Sequence, residues 1–200
     1  MSLLHDRLRK EGFKVKITDF PQYGEKSAGL VEEYLNGKFG TAEEVGPYRG
    51  SIFYACDRYA ASIDMWKWLN DGGIIISNRY VSANKGHQLS KIEDTGERLK
   101  FLKWLDELEY GLFGIPKEDV NVLLYVPPEV GQQLVDKKAK RDYIGKKRDL
   151  HEADLDHLKN AAEAYRFVAN KEKWTKITCV ENGSEERRVG KECAAGCRSR

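Results

Sequence analysis

Two hundred residues, 40% of them hydrophobic and 33% charged, are enough for one globular domain with a sizeable core. A formal charge of +2 is too small to point to nucleic acid or an acidic membrane as a partner. No stretch approaches the run of about eighteen apolar residues that a membrane span needs. The start, Met1 to Arg7, lacks the apolar core of a signal peptide. The expectation is therefore a cytoplasmic protein with neither nucleic-acid nor membrane partners.

In chain order, Leu3, Leu4 and Leu8 with charges between them read as the end of an amphipathic helix stopped by Gly12. Phe13 to Phe20 alternates like a strand, and Pro21 ends it. A helix leading straight into a strand implies an earlier strand for the crossover; none is present, so Met1 is expected to be an internal methionine. Ser27 to Gly37 reads as a helix with Ser27 as its cap. Pro47 opens a second helix from its first turn, and this one runs to the break at Gly72-Gly73. Tyr54 and Arg58 are four apart and share one helix face, either as a core tyrosine beside a surface arginine or as a ligand-binding pair. Met65, Trp66 and Leu69 read as packing residues, and Cys56 and Cys179, isolated in apolar surroundings, as buried thiols.

Ile74-Ile75-Ile76 after two glycines reads as a short, fully buried strand of a parallel sheet. At its carboxyl end Asn78, Arg79, Tyr80, Ser82, Asn84, His87 and Gln88 crowd together. Ligands of open α/β sheets sit in the crevice beyond the carboxyl ends of the strands, so these polar groups mark a candidate site. Arg79 would bring a planar, permanently charged fork suited to phosphate or carboxylate. Further on, Glu97 to Tyr110 carries Leu99, Leu102, Leu105 and Leu108 at helical spacing. Val120 to Val126 reads as a second buried strand, ended by Pro127-Pro128-Glu129. Seven of the twelve residues from Lys137 to Arg148 are Lys or Arg, with Gly145 among them, which suits a solvated face, a nucleic-acid patch or a flexible basic loop. His151-Glu152 lacks the second histidine of a zinc motif, since Leu155 stands where it would be, and Cys193 with Cys197 lacks a second pair, so no metal ligand is assigned. Leu155, Leu158, Ala162 and Tyr165 give a helix an apolar face, and Trp174 to Val180 is the last strand, followed by a turn at Glu181-Asn182-Gly183. Strands at 13–19, 74–77, 120–126 and 174–180, separated by helices, predict an α/β fold with a parallel sheet.

The run from Asn78 to Gln88 resembles the Asp-Arg-Tyr motif of thymidylate kinases, with Asn78 for the usual Asp, Ala83 where Ser is frequent and His87 for the usual Tyr. Phe20-Pro21 is similar to that family's turn after its second strand, Tyr34-Leu35-Asn36-Gly37 to its Tyr-Leu-x-Gly helix end, and Val126-Pro127-Pro128-Glu129 to the end of its fourth strand, with Tyr125 replacing a common Asp. The resemblance covers about residues 1–183. It implies a P-loop kinase-like three-layer sandwich, a parallel sheet flanked by helices, with the first strand and phosphate loop missing: no G-x-x-x-x-G-K-[ST] occurs, and Gly190-Lys191 is followed by Glu192. The implied reaction is transfer of the ATP γ-phosphoryl group to dTMP with Mg²⁺, giving dTDP. Arg79 would hold the acceptor phosphate, Tyr54 stack on thymine and Arg58 contact the base. Asn84 with His87 or Gln88 would hold the nucleoside, with Phe20 also on the substrate. Arg141 and Arg148 would belong to a basic lid. Lacking the phosphate loop, the chain itself is expected not to catalyse. Family members are commonly dimers, which implies a homodimer. A kinase for another nucleoside or nucleotide, and a non-catalytic nucleotide-binding module, are the alternatives. Residues 184–200 resemble the in-frame translation of a sequencing adapter and are expected to be a non-native tail.

Overall fold

The computed structural model describes residues 1–131, 155–181 and 184–185. They fall into two compact units, Met1–Asp119 and Val120–Arg200. The first unit opens with α1 (Ser2–Lys10), whose last turn carries Arg7, Arg9 and Lys10 against the negative end of the helix dipole. The chain turns out of it at Gly12, at φ +91°. β1 (Val15–Asp19) buries Val15 and Thr18, and pairs in parallel with β2 (Ile74–Asn78), from Val15 opposite Ile74 to Asp19 opposite Asn78.

Between these strands lie α2 (Gly29–Leu35), entered through the 3₁₀ turn Lys26–Ala28, and α3 (Ala42–Asn70). Ser27 is not the cap of α2; its hydroxyl donates to Asp57 Oδ1 at 2.6 Å, joining this turn to α3. α3 begins five residues earlier than Pro47 would suggest. Thr41 Oγ1 accepts from the Glu44 N–H at 3.2 Å while Glu44 Oε2 accepts from the Thr41 N–H at 2.7 Å, a reciprocal capping box. The helix breaks at Gly46, at φ +73°, and resumes with Pro47 in the first turn of the longer segment. Ser51, Ala55, Arg58, Ser62 and Met65 form its buried stripe. Trp66, expected to pack, is exposed, and its indole N–H donates to the Gly114 carbonyl at 2.8 Å.

β2 leads into α4 (Val81–Leu89) and then α5 (Thr95–Asp106), where Asp94 caps the Glu97 N–H at 2.8 Å. The isoleucines of β2 are half-buried and not fully buried, because among the described residues the strand pairs with β1 alone. α5 runs on into a π-helical turn, Glu107–Leu112. Of the expected leucine stripe Leu102 and Leu105 are buried, Leu108 is half-buried and Leu99 is exposed, and Glu109, four residues beyond Leu105, takes a buried position.

In the second unit β3 (Val122–Tyr125) pairs in parallel with β4 (Thr175–Thr178), and α6 (Leu155–Lys171) precedes β4. Ala161, Ala164 and Val168 form the buried row of α6, with Leu158, Ala162 and Tyr165 half-buried beside it. β3, expected to be buried, leaves Val122 and Leu124 51% and 53% exposed, since among the described residues it pairs with β4 alone. β5 (Val180–Glu181) pairs antiparallel with β6 (Ser184–Glu185), so the first two residues of the stretch expected to be a non-native tail form a short ladder. Cys56 and Cys179 make no disulfide among the described residues and are half-buried, not buried. Arg141, Arg148, the rest of the basic stretch 137–148, Cys193 and Cys197 lie outside the described residues.

Candidate functional site

The carboxyl ends of β1 and β2 carry the first part of the site. Asn78 Nδ2 donates to Asp19 Oδ1 at 3.1 Å across the two paired strands, so Asn78 ties the strand ends together. The next residue, Arg79, adopts φ +60°, a left-handed conformation that costs a residue with a Cβ roughly 1–2 kcal/mol. The Ser77 hydroxyl holds its carbonyl at 2.5 Å. Arg79 is exposed, and among the described residues its guanidinium has no ion-pair partner. Strain at an exposed, uncompensated arginine is the kind of feature that clusters at ligand-binding positions.

Tyr80 and Phe20 support this turn from behind. The Tyr80 hydroxyl donates to the Pro116 carbonyl at 3.0 Å, and the two rings lie 5.5 Å apart. Phe20, a sequence-predicted substrate contact, is 3% exposed and serves as this backing. Glu118 accepts from the Tyr110 hydroxyl. Burial raises the pKa of Glu118, with the Tyr110 bond opposing it; burial and then the Glu118 charge push the Tyr110 and Tyr80 phenols up.

Arg58 is not at the surface. It is 2% exposed and forks onto Glu109, which is 0% exposed, through Nε to Oε2 at 2.8 Å and Nη2 to Oε1 at 2.5 Å. Asn84 on α4 joins them, its Nδ2 donating to the Ser51 carbonyl at 3.1 Å and reaching Glu109 Oε1 at 3.4 Å. Arg58 and Asn84, both predicted from sequence, are thus brought together, and Glu109 links them. Beside them Lys85, also buried, pairs with Asp106 Oδ1 at 2.8 Å.

Tyr54, four residues before Arg58, is half-buried and meets Tyr34 edge-on at 6.4 Å. Gln88 is buried; its Oε1 accepts from Lys91 Nζ at 2.9 Å and lies against Gly50, where an added Cβ would meet it at 3.1 Å. Its side chain is thereby committed to the α3–α4 contact. His87 is half-buried on α4, three residues beyond Asn84 and so on the same side of the helix. Lys91 also reaches the Tyr34 hydroxyl at 2.9 Å and the Ala42 carbonyl at 3.4 Å, and burial lowers its pKa to about 8. Asp57, missed in the sequence, is buried and holds the Gln22 N–H at 2.8 Å and Ser27, fixing the segment after Pro21.

Among the described residues no group of three or more His, Cys, Asp or Glu gathers to hold a metal ion. Nor does the sequence contain a glycine-rich phosphate loop. No helix among the described residues is long and apolar enough to cross a membrane.

No family model matches the chain. Thymidylate kinases of two Mycobacterium tuberculosis strains are each 27% identical to it over 167 residues, 83% of this chain and 77% of theirs. A probable thymidylate kinase of Thermoplasma volcanium is 25% identical over 141 residues, 68% of this chain and 63% of that one. Among solved structures, the thymidylate kinase of Candida albicans matches with a TM-score of 0.65 over 99% of this chain and 85% of that chain, at 17% identity, which carries the α/β fold of P-loop kinases.

Proposed function

We infer that the chain belongs to the thymidylate kinase family of nucleoside monophosphate kinases, and from that premise we propose that its first unit binds dTMP as the phosphoryl acceptor, with ATP as donor and dTDP as product. Arg79 takes the acceptor phosphate in a charge-assisted fork. Tyr54 offers a ring face to thymine, worth about 1–3 kcal/mol for a stacked base. Arg58 and Asn84 address the base edge, and His87 lies along the nucleoside. Gln88 and Phe20 act behind them, through Lys91 and Tyr80. The observation that carries this reading is Arg79 itself: exposed, free of ion pairs among the described residues and held at φ +60° at the carboxyl end of a parallel strand.

Such a site catalyses by placement. The acceptor phosphate oxygen must stand in line with the bond to be broken, and positive charge must meet the transferring group. Arg79 would fix that oxygen; Arg141 and Arg148 are proposed for the developing charge. Mg²⁺ would neutralise the donor phosphates when bound. ATP and Mg²⁺ follow from the family premise alone, as do a cytoplasmic location and a homodimer. Because the sequence lacks the loop and Lys that position a donor, the 200-residue chain is expected to bind dTMP without turning it over.

Calorimetric titration of dTMP and of thymidine into this chain tests the reading. Arg79→Ala should weaken dTMP at least about ten-fold, the share of one charge-assisted bond, and leave thymidine unchanged. Equal dTMP affinity in both proteins, or no dTMP binding to the parent chain, would count against it.

A further inference from the structure

Glu109 is fully buried, and its oxygens face three donors from two other helices: Arg58 Nε at 2.8 Å, Arg58 Nη2 at 2.5 Å and Asn84 Nδ2 at 3.4 Å. The Asn84 amide nitrogen also meets the Ser51 carbonyl at 3.1 Å. Two acceptors on one side decide which way the amide lies: the nitrogen faces Glu109 and Ser51, and Oδ1 faces away. Arg58 gives Glu109 two of its N–H groups, and among the described residues nothing receives those on Nη1. No hydrogen bond among the described residues uses Asn84 Oδ1, and neither it nor Arg58 Nη1 is among their buried atoms that lack a partner, so both are left over for a ligand. Held on one carboxylate, the two side chains therefore offer a donor from Arg58 next to an acceptor from Asn84. A buried ion pair gives little net stability over an apolar pair of similar volume, so stability is a weak reason for this arrangement. Order among hydrogen-bonding groups is a better one.

We propose that Glu109 is a positioning residue that sets base selectivity. By fixing Arg58 and Asn84 in donor-beside-acceptor order it admits a base edge that carries an acceptor beside a donor, the O4 and N3–H of a 4-oxopyrimidine. It rejects the 4-amino edge, where donor would face donor and acceptor face acceptor. The inference rests on the reading above that the base lies against Arg58 and Asn84. Glu109 itself does not touch the base. A site built to hydrogen-bond one edge leaves its own buried groups unpaired with the wrong one, which is why such sites discriminate strongly.

The test is calorimetric titration of dTMP, dUMP and dCMP into the 200-residue chain and into Glu109→Gln and Glu109→Asp, with thermal melts on each. The parent chain should prefer dTMP to dCMP by at least about a hundred-fold, with dUMP, which shares the 4-oxo edge, following dTMP. Either variant should reduce the dTMP/dCMP ratio at least about ten-fold, chiefly by weakening dTMP and dUMP, whereas Arg79→Ala should weaken all three and keep the ratio. Should Glu109→Gln fail to fold with Arg58 left uncompensated, Glu109→Asp retains the charge with a displaced carboxylate and carries the test. A folded variant with the parent ratio overturns the inference. So does a parent chain that binds dTMP and dCMP alike, and that result leaves nucleotide binding itself standing. A parent chain that binds none of the three overturns the substrate reading and this inference with it.

Discussion

Arg79 shows how a single residue can combine a charge with a backbone cost. Its φ of +60° suits glycine and strains any side chain. Replacing it with Gly relieves that strain, and replacing it with Ala keeps it. Arg79→Gly should therefore be more stable than Arg79→Ala by about 1 kcal/mol in urea unfolding, while both lose the guanidinium and bind dTMP equally weakly. Equal stability of the two would mean that the backbone relaxes once the arginine is gone. The motif was legible in the sequence because Asn, Arg and Tyr follow a run of three isoleucines, where chemistry replaces packing. The left-handed turn was not, since nothing in a side-chain pattern announces the φ of an arginine.

At the scale of elements, Lys91 fastens three helices: it meets Tyr34 on α2, Ala42 at the start of α3 and Gln88 on α4. Its pKa is lowered to about 8 by burial, with the Glu43 charge opposing, from an ordinary 10.5. A lysine depressed on folding binds fewer protons in the native state than in the unfolded state between those two values, so stability rises with pH across that window. Burial raises the pKa of Tyr34, so above about 10, where the unfolded phenol ionises, that tyrosine acts in the opposite sense. Urea midpoints of the parent chain should therefore rise from pH 8 to 10, and Lys91→Met should flatten that slope; an equal slope in both would remove Lys91 as its source. Elements with local signals were readable: Gly12 ending α1, Pro47 after the break in α3, the β1 alternation. The capping box at Thr41 and Glu44 was readable too, from its T-x-x-E spacing, and was missed. Glu109 was hidden because Arg58 is 51 residues away. The signal for it was there, however, as a charge four residues beyond Leu105 and seven beyond Leu102, on the same buried stripe.

Among the described residues each unit carries a parallel sheet of two strands, whereas parallel sheets are as a rule covered on both faces. The expected burial of β2 and β3 failed for that reason: the apolar runs were read correctly as strands, but burial depends on neighbours that a local pattern does not reveal. Val122 and Leu124, two apart and on one face of β3, remain half exposed, and Val120 beside them is 70% exposed. Such a strand is a template for association. Size-exclusion chromatography with light scattering should find the 200-residue chain self-associating, and Val122→Lys with Leu124→Lys should shift it toward monomer. A parent chain that is monomeric at high concentration would refute the idea.

Cys56 lies on α3 two residues before Arg58. Burial raises its pKa, the Glu109 charge raises it further, and Arg58 acts against both. Only the thiolate is alkylated, so the thiol is a clock set by its charged neighbours. Iodoacetamide should modify Cys56 slowly in the parent chain and faster in Glu109→Gln, from which the negative charge has gone and the positive one has not. The protein thus carries its own chemical label for the state of its buried ion pair, readable by mass spectrometry without a nucleotide present.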